Sequence, residues 1–100
     1  MIELTDSTFD EYIASAESPV IVDFWASWCQ PCLRMAPDLA ILDAEIPVVK
    51  VDVDAYPELA RRYGVQSMPT LVVFQDGKAV GSSVGAKPLT SLREIFKQYI

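Results

Sequence analysis

The sequence contains no histidine among its 100 residues, and its only two cysteines are Cys29 and Cys32. Without histidine there is no Cys-His nucleophile, no Ser-His-Asp triad and no imidazole ligand for a metal. These absences exclude several classes of hydrolase and metalloenzyme at once. Any chemistry based on cysteine must therefore come from the pair itself and from residues other than histidine.

Basic residues are also few, because 8 Lys and Arg stand against 14 Asp and Glu, for a net charge of -6. Since nucleic-acid binding depends largely on Lys and Arg displacing counterions from phosphates, we expect no nucleic-acid partner and no anionic membrane partner. No apolar run approaches the roughly 20 residues of a membrane helix. Residues 1–4 lack the pattern of a signal peptide, so the sequence as written predicts a cytoplasmic protein, although a chain that had lost a leader would look the same.

Apolar residues make up 51% and charged residues 22% of the sequence, as in folded globular proteins. No internal repeat, low-complexity segment or linker interrupts the chain. We therefore expect one domain over residues 1–100, acting as a monomer.

The pattern of apolar residues predicts an α/β fold in the order βαβαβαββα. Strands are predicted at 2–4, 20–25, 48–52, 70–74 and 79–84, and helices at 9–16, 29–44, 56–63 and 89–99. Parallel crossovers come first, and Asp76-Gly77 predicts an antiparallel hairpin late in the chain. The expected result is a mixed five-stranded sheet with helices on both faces.

Several local features are expected from the same pattern. Side chains within 5–7 should cap the first helix, Pro37 should kink the second helix, and Gly64 should take the left-handed cap conformation after the third. The inner side of the second helix is predicted to consist of Leu33, Ala36, Leu39 and Ala40. That of the last helix is predicted to consist of Leu89, Leu92, Ile95, Phe96 and Tyr99.

The Cys29-Gln30-Pro31-Cys32 segment lies where the predicted central strand gives way to a helix. Unpaired amides and the helix dipole at this end favour the thiolate of Cys29, which is the form that attacks disulfides. Cys32, three residues later, lies close enough to attack a mixed disulfide formed on Cys29. Two alternatives are a structural staple, which would stabilise little across so short a loop, and half of a zinc site, for which two ligands are missing.

Asp23 lies in the middle of the apolar strand 20–25. Burial should raise its pKa, and its position upstream of the cysteines suggests that it takes the proton of Cys32 when that sulfur attacks. The alternative is an aspartate that faces solvent. Lys50, alone in an apolar run, is a candidate charge partner for Asp23, or else a lysine whose stem covers apolar surface while its charge reaches water.

Residues 22–32, ending in Trp28-Cys29-Gln30-Pro31-Cys32, resemble the active-site signature of the thioredoxin family. The resemblance extends over essentially the whole chain. Further segments that match the family in position are Pro37, 50–54, 63–65, 68–71, Asp76-Gly77 and 84–86.

The resemblance implies a thioredoxin fold and a dithiol-disulfide oxidoreductase that reduces disulfides in protein substrates. It also implies that a separate thioredoxin reductase restores the dithiol, and that no cofactor or metal is bound. Met68-Pro69 should be a cis peptide bond facing the dithiol. The implied substrate-binding rim consists of Trp28, Gln30, Pro31, Met68, Pro69, Gly85 and Ala86, with core packing as the alternative role of Trp28 and Met68.

The sequence departs from the family pattern at Gln30, where a glycine is usual, and at Leu33-Arg34, where a lysine followed by an apolar residue is frequent. The stretch between Cys32 and Lys50 is also shorter than usual by about one helical turn. These departures bear on reduction potential and on reductase recognition. Competing functions are a disulfide donor or isomerase with the same fold, a non-catalytic interaction module, and metal transfer through the two cysteines.

Overall fold

The computed structural model describes residues 1–100, and its elements follow the predicted order. The strands are β1 (Ile2–Glu3), β2 (Val20–Trp25), β3 (Val48–Asp52), β4 (Thr70–Gln75) and β5 (Lys78–Val84). The helices are α1 (Phe9–Ser15), α2 (Gln30–Leu42), α3 (Pro57–Arg62) and α4 (Leu89–Ile95), and a 3-10 turn, Lys97–Tyr99, ends the chain.

The five strands form one sheet in the order β1-β3-β2-β4-β5, so β2 is the central strand, as predicted. β3 pairs in parallel with both β1 and β2, whereas β4 pairs antiparallel with β2 and β5. The turn between β4 and β5 has positive φ at Asp76 and at Gly77, 54° and 79°, as a two-residue hairpin turn with a matching twist requires. The predicted mixed sheet is confirmed.

Side chains of the inner strands alternate between two hydrophobic clusters, because successive residues of a strand point to opposite faces. One cluster joins Val20, Val22 and Phe24 of β2 to residues of α1 and α3. The other joins Ile21 of β2 to buried residues of α2 and α4 on the opposite face. Asp23, two residues from Ile21, therefore points to the face that α2 covers.

The predicted inner side of α2 is confirmed at Leu39 and is wrong at Leu33 and Ala40. Its buried residues are Cys32, Met35, Leu39 and Leu42, whereas Leu33 and Ala40 are exposed and Ala36 is half-buried. The turn after β2 makes Cys32, and not Leu33, the first buried residue of the helix, and neighbouring residues of a helix point about 100° apart. α2 continues through Pro37 and ends at Leu42, earlier than predicted.

Two further local predictions are also wrong. The N-cap of α1 is Thr8, and no side chain caps the helix. The Thr5 carbonyl oxygen instead accepts a hydrogen bond from the Phe9 amide nitrogen at 3.0 Å, so a backbone hydrogen bond closes this turn. Ile95 was expected on the inner side of α4, yet it is 39% exposed because the helix ends there and the chain tightens into the 3-10 turn. The left-handed conformation of Gly64 is confirmed, with φ of 69°.

Candidate active site

Cys29 lies at the junction of β2 and α2 and is the N-cap residue of that helix. Its extended backbone turns the chain from the end of the strand into the first helical turn, where Pro31 occupies an early position that needs no amide donor. Cys29 and Cys32 are joined in a disulfide, with Cα atoms 5.3 Å apart. The predicted pair therefore sits where helix geometry brings residues i and i+3 together.

The sulfur of Cys29 accepts a hydrogen bond from the Cys32 amide at 3.2 Å. This amide is one of the first-turn groups that have no partner within a helix, and the dipole of the 13-residue α2 points its positive end the same way. Both features stabilise negative charge on the Cys29 sulfur. On these grounds a thiolate is more stable on Cys29 than on a sulfur without such contacts.

The two cysteines are each only 4% exposed and pack with Ala26 in a small apolar cluster. The partly buried side chains of Trp25, Val53 and Met68 pack against this cluster. The structure brings no third His, Cys, Asp or Glu side chain together with the pair in a group that could hold a metal ion. The immediate neighbours of the disulfide are therefore apolar.

Asp23 is 3% exposed, which excludes the alternative of a solvent-facing carboxylate. Its Oδ1 is buried without a hydrogen-bond partner. Burial raises the pKa of Asp23 to about 7, and the positive charge of Lys50 moderates the rise. The carboxyl group can therefore take up or release a proton near neutral pH, on the sheet face that α2 covers.

Lys50 pairs in register with Asp23 across β2 and β3, so both side chains share one face of the sheet. The two form no ion pair. Instead, the Lys50 ammonium lies 3.9 Å from the centre of the half-buried Trp25 ring, a cation–π contact. Lys50 thus acts on Asp23 through its charge and keeps its ammonium on the tryptophan.

Trp28 is 62% exposed, which excludes core packing as its role. Its indole nitrogen donates a hydrogen bond of 2.7 Å to Oδ2 of Asp54. Asp54 was not among the residues predicted to belong to the site. The available signal was its position just past the end of β3, because the carboxyl ends of neighbouring parallel strands meet at one edge of the sheet, where Trp28 follows β2.

The other predicted rim residues lie on three connected segments. The Met68-Pro69 peptide bond is cis, as expected, and Met68 packs against the cysteine cluster. The Gly85 amide donates to the Pro69 carbonyl at 2.8 Å, which ties the loop after β5 to the cis bond. Gln30 and Ala86 are exposed, Pro31, Met68 and Gly85 are half-buried, and Pro69 is buried.

Comparison with known proteins agrees with this geometry. The Thioredoxin family model matches residues 1–98. The chain belongs to the thioredoxin family. It is 42% identical to thioredoxin of Bacillus subtilis, over 100% of this chain and 98% of the relative. It is 40% identical to thioredoxin 1 of a Nostoc strain, over 98% of this chain and 95% of the relative.

A third relative joins two functions. A bifunctional thioredoxin reductase/thioredoxin of Mycobacterium leprae is 45% identical over 91% of this chain, which spans only 21% of that relative. Family membership together with the Cys29–Cys32 pair identifies the chain as a thiol-disulfide oxidoreductase with a redox-active disulfide. None of its helices is long and apolar enough to cross a membrane.

Proposed function

We propose that the chain reduces disulfides in protein substrates, with Cys29 as the nucleophile and Cys32 as the resolving cysteine. The observation that carries the proposal is the hydrogen bond from the Cys32 amide to the Cys29 sulfur at the start of α2. This arrangement stabilises a thiolate on Cys29 and leaves Cys32 one turn deeper in the helix.

The proposed reaction consists of two thiol-disulfide exchanges. The Cys29 thiolate attacks one sulfur of the substrate disulfide, and the other substrate sulfur leaves as a thiolate. Cys32 then loses its proton and attacks the sulfur of Cys29, so that the mixed disulfide breaks and the second substrate thiolate leaves. Two electrons pass to the substrate, and the enzyme ends with the Cys29–Cys32 disulfide.

Asp23 is proposed to accept the proton of Cys32 in the second exchange. A general base works best when its pKa lies near the working pH, and burial brings the pKa of Asp23 to about 7. The position of Asp23 on the sheet face beneath α2 supports the role, because Cys32 is a buried residue of that helix. Lys50 is proposed to hold the pKa of Asp23 in this range through its charge.

The rim residues are proposed to bind an extended segment of the substrate. The backbone amide and carbonyl of Met68 have no hydrogen-bond partner within the chain, so they are free to pair with a substrate strand. The exposed Trp28, held by its hydrogen bond to Asp54, offers an apolar surface directly before Cys29 in the chain. Gln30, Pro31, Pro69, Gly85 and Ala86 complete the proposed rim.

The proposal includes a separate thioredoxin reductase that returns the disulfide to the dithiol. The Mycobacterium leprae relative, whose name combines thioredoxin reductase with thioredoxin, supports such a partnership. We further propose that residues 1–100 act as one domain, without a bound cofactor, as a monomer in the cytoplasm.

The test is reduction of a protein disulfide with dithiothreitol as the electron source. The wild-type chain should accelerate the reaction, and Cys29→Ser should lower the rate to the uncatalysed value. A wild-type rate no higher than that of Cys29→Ser would contradict the proposal. If a Cys29→Ser, Cys32→Ser double variant still performs the biological function of the wild-type chain, the chain is a non-catalytic interaction module instead.

A further inference from the structure

A charged cleft lies beside the proposed rim, between α2 and the segment that joins β5 to α4. Its lining residues are Arg34, Met35, Asp38, Ala86, Lys87 and Pro88. Ala86 belongs both to this cleft and to the proposed rim, so a substrate segment that crosses the rim meets the cleft next.

The two cations of the cleft differ from most basic residues of the chain. Four others are paired with carboxylates: Arg61 with Glu58, Arg62 with Asp10, Arg93 with Glu45 and Lys97 with Glu94. Lys50 lies on the ring of Trp25. Arg34 and Lys87 form no ion pair, although the chain carries an excess of acidic residues that could neutralise them.

Lys87 is held next to the rim. Its ammonium donates to the Val84 carbonyl at 2.6 Å. It also lies 4.0 Å from the position that a Cβ on Gly85 would occupy, and Gly85 is bonded to Pro69. An ammonium has three donors, so Lys87 keeps two for a ligand, and the guanidinium of Arg34 makes no hydrogen bond within the chain.

We propose that Arg34 and Lys87 form a subsite for an acidic side chain of the protein substrate, close in sequence to the cysteine under attack. A carboxylate accepts charge-assisted hydrogen bonds from both cation types, and Arg can bind it in a bidentate manner. Asp38 lines the same cleft, four residues after Arg34 and unpaired with it, and its charge opposes the acidic ligand. The subsite thus favours substrates with Glu or Asp at this position over substrates with a neutral residue there, although the chain as a whole is acidic.

The inference rests on the proposed reductase function, so the experiment measures both. Disulfide-bonded peptides are prepared in pairs, with Glu or Gln at a single position from three residues before to three residues after the cysteine. The measured quantity is the ratio of kcat/KM for the Glu peptide to that for the Gln peptide, with dithiothreitol as reductant. An effect of Arg34 on the dithiol itself cancels in this ratio.

At one position or two adjacent positions, the wild-type chain should prefer Glu by about two- to fivefold, as expected for a partly exposed ion pair. The preference should fall towards one in high salt. Arg34→Gln and Lys87→Gln should each lower the ratio, and Asp38→Asn should raise it. Arg34→Lys should retain part of the preference, because it keeps the charge but not the paired donors of the guanidinium. Lys78→Gln, at the distant β4–β5 hairpin, is the matched control and should leave the ratio unchanged.

A ratio of one at every position in the wild-type chain overturns the subsite and leaves the reductase function standing. A preference that persists in the Arg34→Gln, Lys87→Gln double variant also overturns it. If the wild-type chain reduces every peptide no faster than Cys29→Ser does, the proposed reductase function is overturned, and the subsite with it.

Discussion

Replacing Asp23 with Asn should stabilise the oxidised protein, by an amount that grows with pH. Asn has nearly the shape of the protonated carboxyl group but never carries its charge. The pKa of Asp23 is raised from 3.8 to about 7 by burial, and each pKa unit corresponds to about 1.36 kcal/mol. Ionised Asp23 therefore lowers the free energy of unfolding by about 4 kcal/mol.

The sign follows from proton binding. Between about pH 4 and pH 7 the folded state keeps the Asp23 proton while the unfolded state releases it, so the stability of the wild-type chain falls as pH rises. Below this range both states are protonated and the contribution of Asp23 charge disappears. The advantage of Asp23→Asn should thus rise from less than about 1 kcal/mol at pH 4 to about 4 kcal/mol at pH 8.

Urea unfolding of both proteins with the disulfide intact, at several pH values from 4 to 8.5, measures this difference directly. Effects of other titrating groups cancel between the two curves. Asp6→Asn, at an exposed position, is the matched control and should change stability by no more than about 0.5 kcal/mol. A stability difference between Asp23→Asn and wild type that stays constant with pH, or shrinks as pH rises, would refute the reasoning.

Three further predictions concern the site. Cys32→Ser should accumulate a mixed disulfide between Cys29 and the substrate, which is visible on a non-reducing gel and is absent with Cys29→Ser. A complex that forms with Cys29→Ser and not with Cys32→Ser would reverse the assigned roles. Asp54→Ala removes the hydrogen-bond acceptor of the Trp28 indole and should lower kcat/KM for a protein disulfide by about two- to tenfold, as loss of one hydrogen bond implies. Asp54→Asn keeps an acceptor oxygen and should keep most of the activity. Equal loss of activity in both variants would contradict this role of Asp54. Lys50→Met should move the titration of Asp23, followed by NMR, to higher pH because the nearby positive charge is lost; an unchanged or lower midpoint would show that Lys50 does not act on Asp23.

The order of elements was predictable because each strand and helix carries its own periodicity. The apolar run Val20–Trp25 indicated a strand covered on both faces, and the central position of β2 confirms it. Asp23 stood out in that run as a buried carboxylate, which its 3% exposure confirms. The position of Cys29 at the start of a helix followed from the same boundary between two periodicities.

The orientation of α2 was not predictable from its own residues, because Leu33 and Ala40 supply as plausible an inner side as Met35 and Leu42. The turn after β2 decides the rotation because it buries Cys32 with Ala26 and Cys29. Contacts between distant segments were missed for a related reason. The Trp28–Asp54 hydrogen bond and the position of Lys87 in the cleft beside α2 depend on how loops far apart in the sequence come together. The local pattern of residues contains no information on this arrangement.

The reduction potential of the Cys29/Cys32 couple tests the central claim most directly. Equilibration with glutathione buffers of known potential, followed by trapping of free thiols, measures it. A protein-disulfide reductase should have a potential near the value of about -270 mV that is typical of thioredoxin, and so remain largely oxidised in a buffer poised at about -200 mV. A potential above about -180 mV, with the dithiol mostly reduced in that buffer, would contradict the account and identify a disulfide donor or isomerase instead.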